Sequence, residues 1–374
     1  MSNQQQRTVP EPQRDALPVT GLEDLRAHLA ALEADPSTPF DAKLLDDVEL
    51  QLNESNIPPL LPVLLPPLAA ILKTATQDPT PLLSLTVKLL SPLPFPRLLT
   101  IADPPSVLAA LQSPLPGANL LGLAIVHKAA ASPADAALLS TLDDVFLSML
   151  TVWLVTPDTG VAEKAGKVLG DLLTTDCPKL APSPPEPQTN GTGPSAAASA
   201  AASTSTAARP RTPGTGNLWS LFLDMSSLIR DVCSDAARPV RDLTLSQGRV
   251  LRLLPRLATL DLGALTRAAA AASATGQPVF PEGGLLPWAA LEMVDRDDVL
   301  MRLNLVDFFE ELVSVMRVAG SRSAETDADL RTVMRAASRA GDGDDVREAL
   351  TTLPDRTVEE EAEPLREFVR YLLS

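Results

Sequence analysis

Apolar residues recur along most of the chain at the spacing of a helix stripe. Leu22, Leu25, Leu29 and Leu32 form the first stripe, with Thr20 and Glu23 placed as a capping box in front of it. Leu44, Leu45, Val48 and Leu52 form a second. The stretch from Ile57 to Leu72 is apolar throughout but broken by Pro58, Pro59, Pro62, Pro66 and Pro67, which predicts a buried, proline-punctuated helix pair. Asp78-Pro79 suits the start of the next helix, since the acid caps and proline fits a first turn. Leu82, Leu83, Thr86, Leu89 and Leu90 supply its face. The same reading predicts helices near 105–112, 118–130, 133–141, 143–155 and 160–174.

The pattern stops at Ala181 and resumes at Leu218, Leu221, Phe222, Met225, Leu228, Ile229 and Val232. Thr244 and Gln247 read as a further capping box ahead of Val250, Leu251, Leu254 and Leu257. Helices follow near 285–294, 298–318, 324–340 and 344–353, and a last stripe, Leu365, Phe368, Val369 and Leu372, restarts after Pro364. No segment shows the sustained alternation of a strand, so the predicted fold class is all-α. Paired helices every ~35–45 residues match the unit size of a HEAT/armadillo-like α-solenoid of degenerate helical repeats.

Composition divides this string. Residues 1–19 read as a disordered N-terminus and 20–180 as N-terminal helical repeats. Residues 181–216, rich in Pro, Ser, Ala, Thr and Gly, read as a disordered linker or insert. Residues 217–374 read as C-terminal helical repeats with a flexible loop near 268–284.

Charge and cysteine narrow the function classes. The net charge of −16 disfavours long contacts with a phosphate backbone, so no direct nucleic-acid binding is expected. Cys177 and Cys233 cannot staple a chain of 374 residues, which points to a reducing compartment. No secretory signal pattern opens the sequence, and the apolar run at Ile57–Leu72 falls short of the ~20 residues of a membrane span. A soluble monomer without membrane contact is expected.

Reactive chemistry is sparse. His28 and His127 are the only imidazoles and lie in separate predicted helices, without a nucleophile motif beside either. Two Cys and two His at these spacings match no zinc site. Gly160-Val-Ala-Glu-Lys-Ala-Gly166-Lys167 resembles a phosphate loop but is one residue too long, with Val168 in place of the hydroxyl. Gly341-Asp342-Gly343-Asp344-Asp345 hints at a calcium loop, yet its twelfth position is Leu353. Asn190-Gly191-Thr192 fits a glycosylation acceptor by pattern alone. No enzymatic activity, metal or cofactor is expected. Arg249, Arg252 and Arg256 share one helix stripe and read as a solvated face.

The acidic residues are the better candidates. Asp158 and Glu163, Asp295, Asp297 and Asp298, and Glu310 and Glu311 stand near helix ends or on polar faces. They could line a concave solenoid surface that receives a basic partner domain. Glu359, Glu360, Glu361 and Glu363 form a further acidic run.

Several segments also resemble a known family. These are Thr156-Pro-Asp-Thr-Gly-Val-Ala-Glu-Lys-Ala165 after the helix with Trp153, Leu218-Trp-Ser-Leu-Phe222, and Val250-Leu-Arg-Leu-Leu-Pro-Arg-Leu257 followed by Leu260-Asp261. Asp297-Asp298-Val-Leu-Met301, leading to Leu305-Val-Asp-Phe-Phe309, is the fourth. They are similar to the proteasome regulatory-particle base-assembly chaperones, whose fungal members carry the historical name "DNA mismatch repair protein HSM-three". The similarity spans roughly residues 40 to 318 and does not extend past Ala319. It implies a HEAT-repeat solenoid, cytoplasmic with the nucleus as a further location. Such a protein would bind the C-terminal domain of a proteasomal AAA ATPase subunit during base assembly and leave before the mature particle forms. The resemblance also implies a turn at 156–160 with Asp158 or Thr159 as the cap. Two alternatives stand beside it: a DNA-repair accessory factor acting through protein partners, and a general armadillo-type adaptor. The adaptor would want a regular ladder of Asn and Trp, which three scattered Trp do not supply.

Removing Pro184–Thr212 is expected to leave helix content unchanged, because that composition has little to pack. Circular dichroism of the shortened chain checks this, and a large loss of helicity would contradict the linker assignment.

Overall fold

The computed structural model describes residues 19–75, 77–179, 213–267, 283–319, 323–339 and 343–374. The expectations for 1–18, for most of 181–216 and the loop at 268–284, for Asn190 and for Gly341-Asp342 fall outside these residues. All regular structure among the described residues is helical.

Prolines set many helix starts, where a missing N–H removes no helix hydrogen bond. α1 (Leu22–Ala34) and α2 (Ala42–Gln51) are followed by α3 (Ile57–Thr74), α4 (Thr80–Leu90), α5 (Phe95–Ile101), α6 (Pro104–Leu111), α7 (Pro116–His127) and α8 (Pro133–Leu139). Each from α3 to α8 carries proline in its first two positions. α9 (Asp143–Val155) and α10 (Thr159–Asp176) complete the part before the insert. Side-chain caps reinforce the starts: Asp41 for α2, Asp103 for α6, Ser132 for α8 and Asp158 for α10. After the insert come α11 (Asn217–Asp224), α12 (Ser226–Ser234), α13 (Val240–Thr266), α14 (Leu285–Leu291), α15 (Val299–Val318), α16 (Ala324–Ala337), α17 (Gly343–Thr352) and α18 (Glu359–Leu373).

These helices stack in two layers as a solenoid. In one layer α2 packs on α4, α4 on α7, α7 on α10, α10 on α13, α13 on α15 and α15 on α17. In the other, α1 packs on α3, α6 on α9, α9 on α12, α14 on α16 and α16 on α18. Each helix buries its stripe against neighbours only, so the core lengthens with the stack. One core joins α1 to α4 through Leu25, Leu45, Leu64, Leu68 and Leu82. A second runs from Leu90 to Leu372, and Leu120 and Leu121 of α7 touch both.

The second core passes the insert without a break, and a buried acid explains how. Asp176, at the end of α10, is fully buried. One carboxylate oxygen accepts the amides of Thr215 and Gly216 and the Thr215 hydroxyl (2.8 Å). The other accepts the Leu218 amide at 2.7 Å and the Trp219 amide at 3.3 Å. Asp176 thus caps α11 from the helix before the insert. Glycine is required twice here. A Cβ at Gly214 would lie 2.1 Å from the Asp176 backbone, and Gly216 has a φ of +78°. The last residues of the expected linker, 213–216, therefore belong to the folded stack.

Other expectations are corrected. Thr20 and Glu23 form no capping box: Gly21 occupies the cap position, Thr20 bonds Gln51, and Glu23 pairs with Arg26. Thr244 and Gln247 lie inside α13, which starts at Val240; Gln247 is buried and donates to the carbonyls of Cys233 and Met293. The proline-rich run is one helix, α3, instead of two. Its prolines face outward or half outward while Leu60, Leu64, Leu68, Ile71 and Leu72 point inward. At 18 residues α3 has the length and apolarity of a membrane span, and here one face is spent on α1 and α4. α18 begins at Glu359 and carries Pro364 in its second turn, so the acidic run Glu359–Glu361 sits at the positive end of the helix.

Replacing Asp176 by Ala is expected to leave several buried N–H groups without an acceptor. Unfolding free energy should fall by about 3 kcal/mol or more, read by denaturant titration. A loss below 1 kcal/mol, on the order of an ordinary surface change, would mean that the junction is held by other contacts.

Candidate functional site

A groove of about 840 Å³ is formed where α10, α13 and α15 lie side by side. α13 supplies the floor through Thr244, Gly248, Arg252 and Arg256. These follow a four-residue spacing, so one helix face looks into the groove over about 18 Å. α10 contributes Ala162, Glu163, Gly166 and Lys167 on one side. α15 contributes Leu300, Asn304, Asp307 and Glu311 on the other. Small side chains make the hollow: a Cβ at Gly248 would meet nothing within 4 Å.

Polar contacts fix the register of α13 against its neighbours. Arg249 is half-buried and donates to the carbonyls of Trp153, Leu154 and Thr156, closing the end of α9. Ser246 donates to the Leu154 carbonyl at 2.6 Å. Arg256 lies flat across Gly170, where a Cβ would come within 2.4 Å of the guanidinium, and reaches Asp171 at 2.8 Å. Glu163 stands 3.9 Å from Arg252, and with the Asp171–Arg256 pair further along both helices this shows that α10 and α13 run in the same direction. The arginine stripe read as a solvated face is thus divided. Arg249 is structural, Arg256 is tied to α10, and Arg252 projects into the groove.

His127 sits behind this wall at the end of α7, with Nε2 2.7 Å from Asp171. Burial pushes the His127 pKa below its ordinary value; the Asp171 bond opposes this, and Lys164 adds to it. For Asp171 burial acts upward, but the bonds from Arg256 and His127 hold its carboxyl below the usual range. His28 is elsewhere: its Nε2 accepts the Asp41 amide between α1 and α2. The two imidazoles do not meet. Burial also pushes the Cys233 thiol up to about 12, as befits a core residue. The phosphate-loop-like stretch at Gly160–Lys167 is the first half of α10, capped by Asp158 at 2.8 Å from the Val161 amide. No cluster of three or more His, Cys, Asp or Glu that could hold a metal occurs among the described residues.

The seven acidic candidates do not form one surface. Glu163 and Glu311 line the groove from opposite sides. Asp158 and Asp298 spend their carboxylates as helix caps, Asp298 taking the amides of Leu300 and Met301. Asp295 accepts the Asp297 amide in the turn before α15, and Asp297 is exposed there. Glu310 is paired with Arg356. The groove is therefore mixed in charge, with Lys167, Arg252 and Glu163 across from Asp307 and Glu311. Sequence reasoning missed Lys167, Gly248, Leu300 and Asp307. Two signals were present: a glycine inside the α13 stripe, and Val299, Leu300 and Leu303, more aliphatics than one buried stripe uses.

Comparison with known proteins finds no family model and no curated protein that matches the chain.

Because the folded pKa of His127 lies below its unfolded value, the unfolded chain takes up the proton first. This contribution is complete above about pH 6.5 and is lost as pH falls through the depressed value. Replacing His127 by Gln is expected to flatten the stability change between about pH 7 and pH 5, measured by urea unfolding. An unchanged slope would show that other groups set it.

Proposed function

We propose that the chain is a non-enzymatic assembly chaperone. On this reading the solenoid grips one AAA ATPase subunit of the proteasome regulatory particle by its C-terminal domain, as a monomer in the cytoplasm and the nucleus, and leaves before the particle matures. The observation that supports the reading is the groove across α10, α13 and α15, a concave surface lined by three neighbouring helices of the stack. The resemblance supports the choice of partner. Three of its four segments, at 156–165, 250–257 and 297–309, contribute lining residues to the groove, among them Glu163, Arg252 and Asp307, while Lys167, Gly248 and Glu311 lie just outside them. Nucleic acid suits the groove poorly, since Glu163, Asp307 and Glu311 would face the phosphates.

Affinity capture of the tagged full-length chain is expected to recover one ATPase base subunit without the proteolytic core particle. Recovery of mature proteasome alone, or of no ATPase subunit, would overturn the reading.

A further inference from the structure

Three features of the groove bear on the shape of its occupant. The first is Gly248. Glycine inside a helix costs stability relative to other residues, and the close approach of a neighbour is a common reason for it. Here nothing lies within 4 Å of the position a Cβ would take. The fold itself makes no use of this glycine, yet it opens the centre of the groove floor. The second is an unpartnered aliphatic ridge. Val299, Leu300 and Leu303 are 59%, 64% and 57% exposed on the first turns of α15, and Leu300 forms part of the groove wall. The third is polarity. Lys167 and Arg252 stand on the side of α10 and α13, where Glu163 lies 3.9 Å from Arg252, and Asp307 and Glu311 stand on the side of α15.

An extended segment fits these walls badly. The groove is built from helices whose backbone groups are already bonded, so it offers no edge to pair with a strand. Among its neutral side chains only a few, such as Asn304 and Thr244, could bond a foreign backbone. A helix brings its backbone already satisfied and presents side chains alone.

We propose that the groove receives one face of an amphipathic helix of the partner. An aliphatic stripe would lie over Gly248 and Leu300, with acidic residues along the edge facing Arg252 and Lys167 and basic residues along the edge facing Asp307 and Glu311. The proposal rests on reading the groove as the partner site. An opening at Gly248 beside the aliphatic Leu300, flanked by charges that include Arg252 of the floor, resembles the anatomy of a specific interface, and the unlike sides disfavour helices flanked by one sign of charge. Only a few turns are in contact, since the floor is about 18 Å long.

The test uses three fluorescent helical peptides with the same leucine stripe, flanked by Glu on both edges, by Lys on both edges, or by Glu on one and Lys on the other. With the full-length chain, the mixed peptide is expected to bind at least about tenfold tighter than either single-sign peptide. The Asp307→Lys, Glu311→Lys double variant makes the α15 rim basic, leaves Glu163 as the one acid among the lining residues, and should transfer the preference to the all-Glu peptide. Gly248→Phe should weaken the mixed peptide by about tenfold or more while the thermal midpoint holds, because the new ring enters open space. Should that variant fail to fold, the double charge variant at exposed positions still decides. Equal affinities for the three peptides, or an unmoved preference in the double variant, overturn the proposal. Capture of the ATPase subunit undiminished by Gly248→Phe also removes it and leaves the chaperone reading standing. Peptide discrimination as expected, with no ATPase subunit captured, upholds the groove's specificity and removes the chaperone reading.

Discussion

A helix stack survives an interruption only if the helices on either side are fastened to each other directly. Here the fastening is the carboxylate of Asp176. Its two oxygens accept from Thr215, Gly216, Leu218 and Trp219, so the last turn of α10 and the first turn of α11 share one buried acid. The Trp219 indole adds a bond to the Leu173 carbonyl at 2.8 Å. A charge out of water is costly unless every lone pair is used, and these lone pairs are used by amides that would otherwise be orphans of a helix N-terminus. The geometry of the junction is therefore strict, and the length of chain between its two sides is not. Loop-closure cost grows only slowly with length, so a longer connection between the two sides costs the junction little more.

α13 applies the same economy on a larger scale. Among the described helices it is the longest, and its polar side chains finish the ends of others. Ser246 and Arg249 take the final carbonyls of α9, Arg238 just before it takes the Val232 carbonyl of α12, and Gln247 reaches Cys233 and Met293. Asp261, whose φ of −153° breaks the helix, accepts the Ala264 amide and restarts it. These bonds fix the position of the helix that forms the groove floor. Rigid placement lowers the ordering cost that a binding surface would otherwise meet on contact.

Periodicity made the helices legible because each buries one stripe, and a stripe is a local property. Helices such as α9 and α15 lie within a residue or so of where their leucines and phenylalanines place them. What spacing could not show was which polar residues act at a distance. Thr20–Glu23 and Thr244–Gln247 both fit a local capping rule, but Thr20 serves Gln51 on another helix and Gln247 serves two remote carbonyls. Asp176 reads in sequence as an ordinary residue before Cys177. Its role comes from residues some forty positions later, across the insert. Prolines misled for a related reason: Pro62, Pro66 and Pro67 mark a break only if the helix must bond on every side, whereas α3 turns them outward.

The candidate site shows how total charge and local charge part company. A net charge of −16 invites a basic partner, yet a partner responds to the charges within a Debye length, about 8 Å in physiological salt. Within the groove, Lys167 and Arg252 answer Asp307 and Glu311. Much of the remaining acid is already spoken for: Asp158 and Asp298 by helix amides, Glu310 by Arg356, Asp345 by Arg302. Such carboxylates add to the total without offering an open ligand, because their field is largely cancelled at short range by the group they hold. What the groove presents is carboxylates alone on the α15 side and cations accompanied by Glu163 on the other, a weakened dipole across its width. A dipole selects a partner by orientation, and that selectivity survives in salt better than attraction between net charges, since the opposed rims act at contact distance.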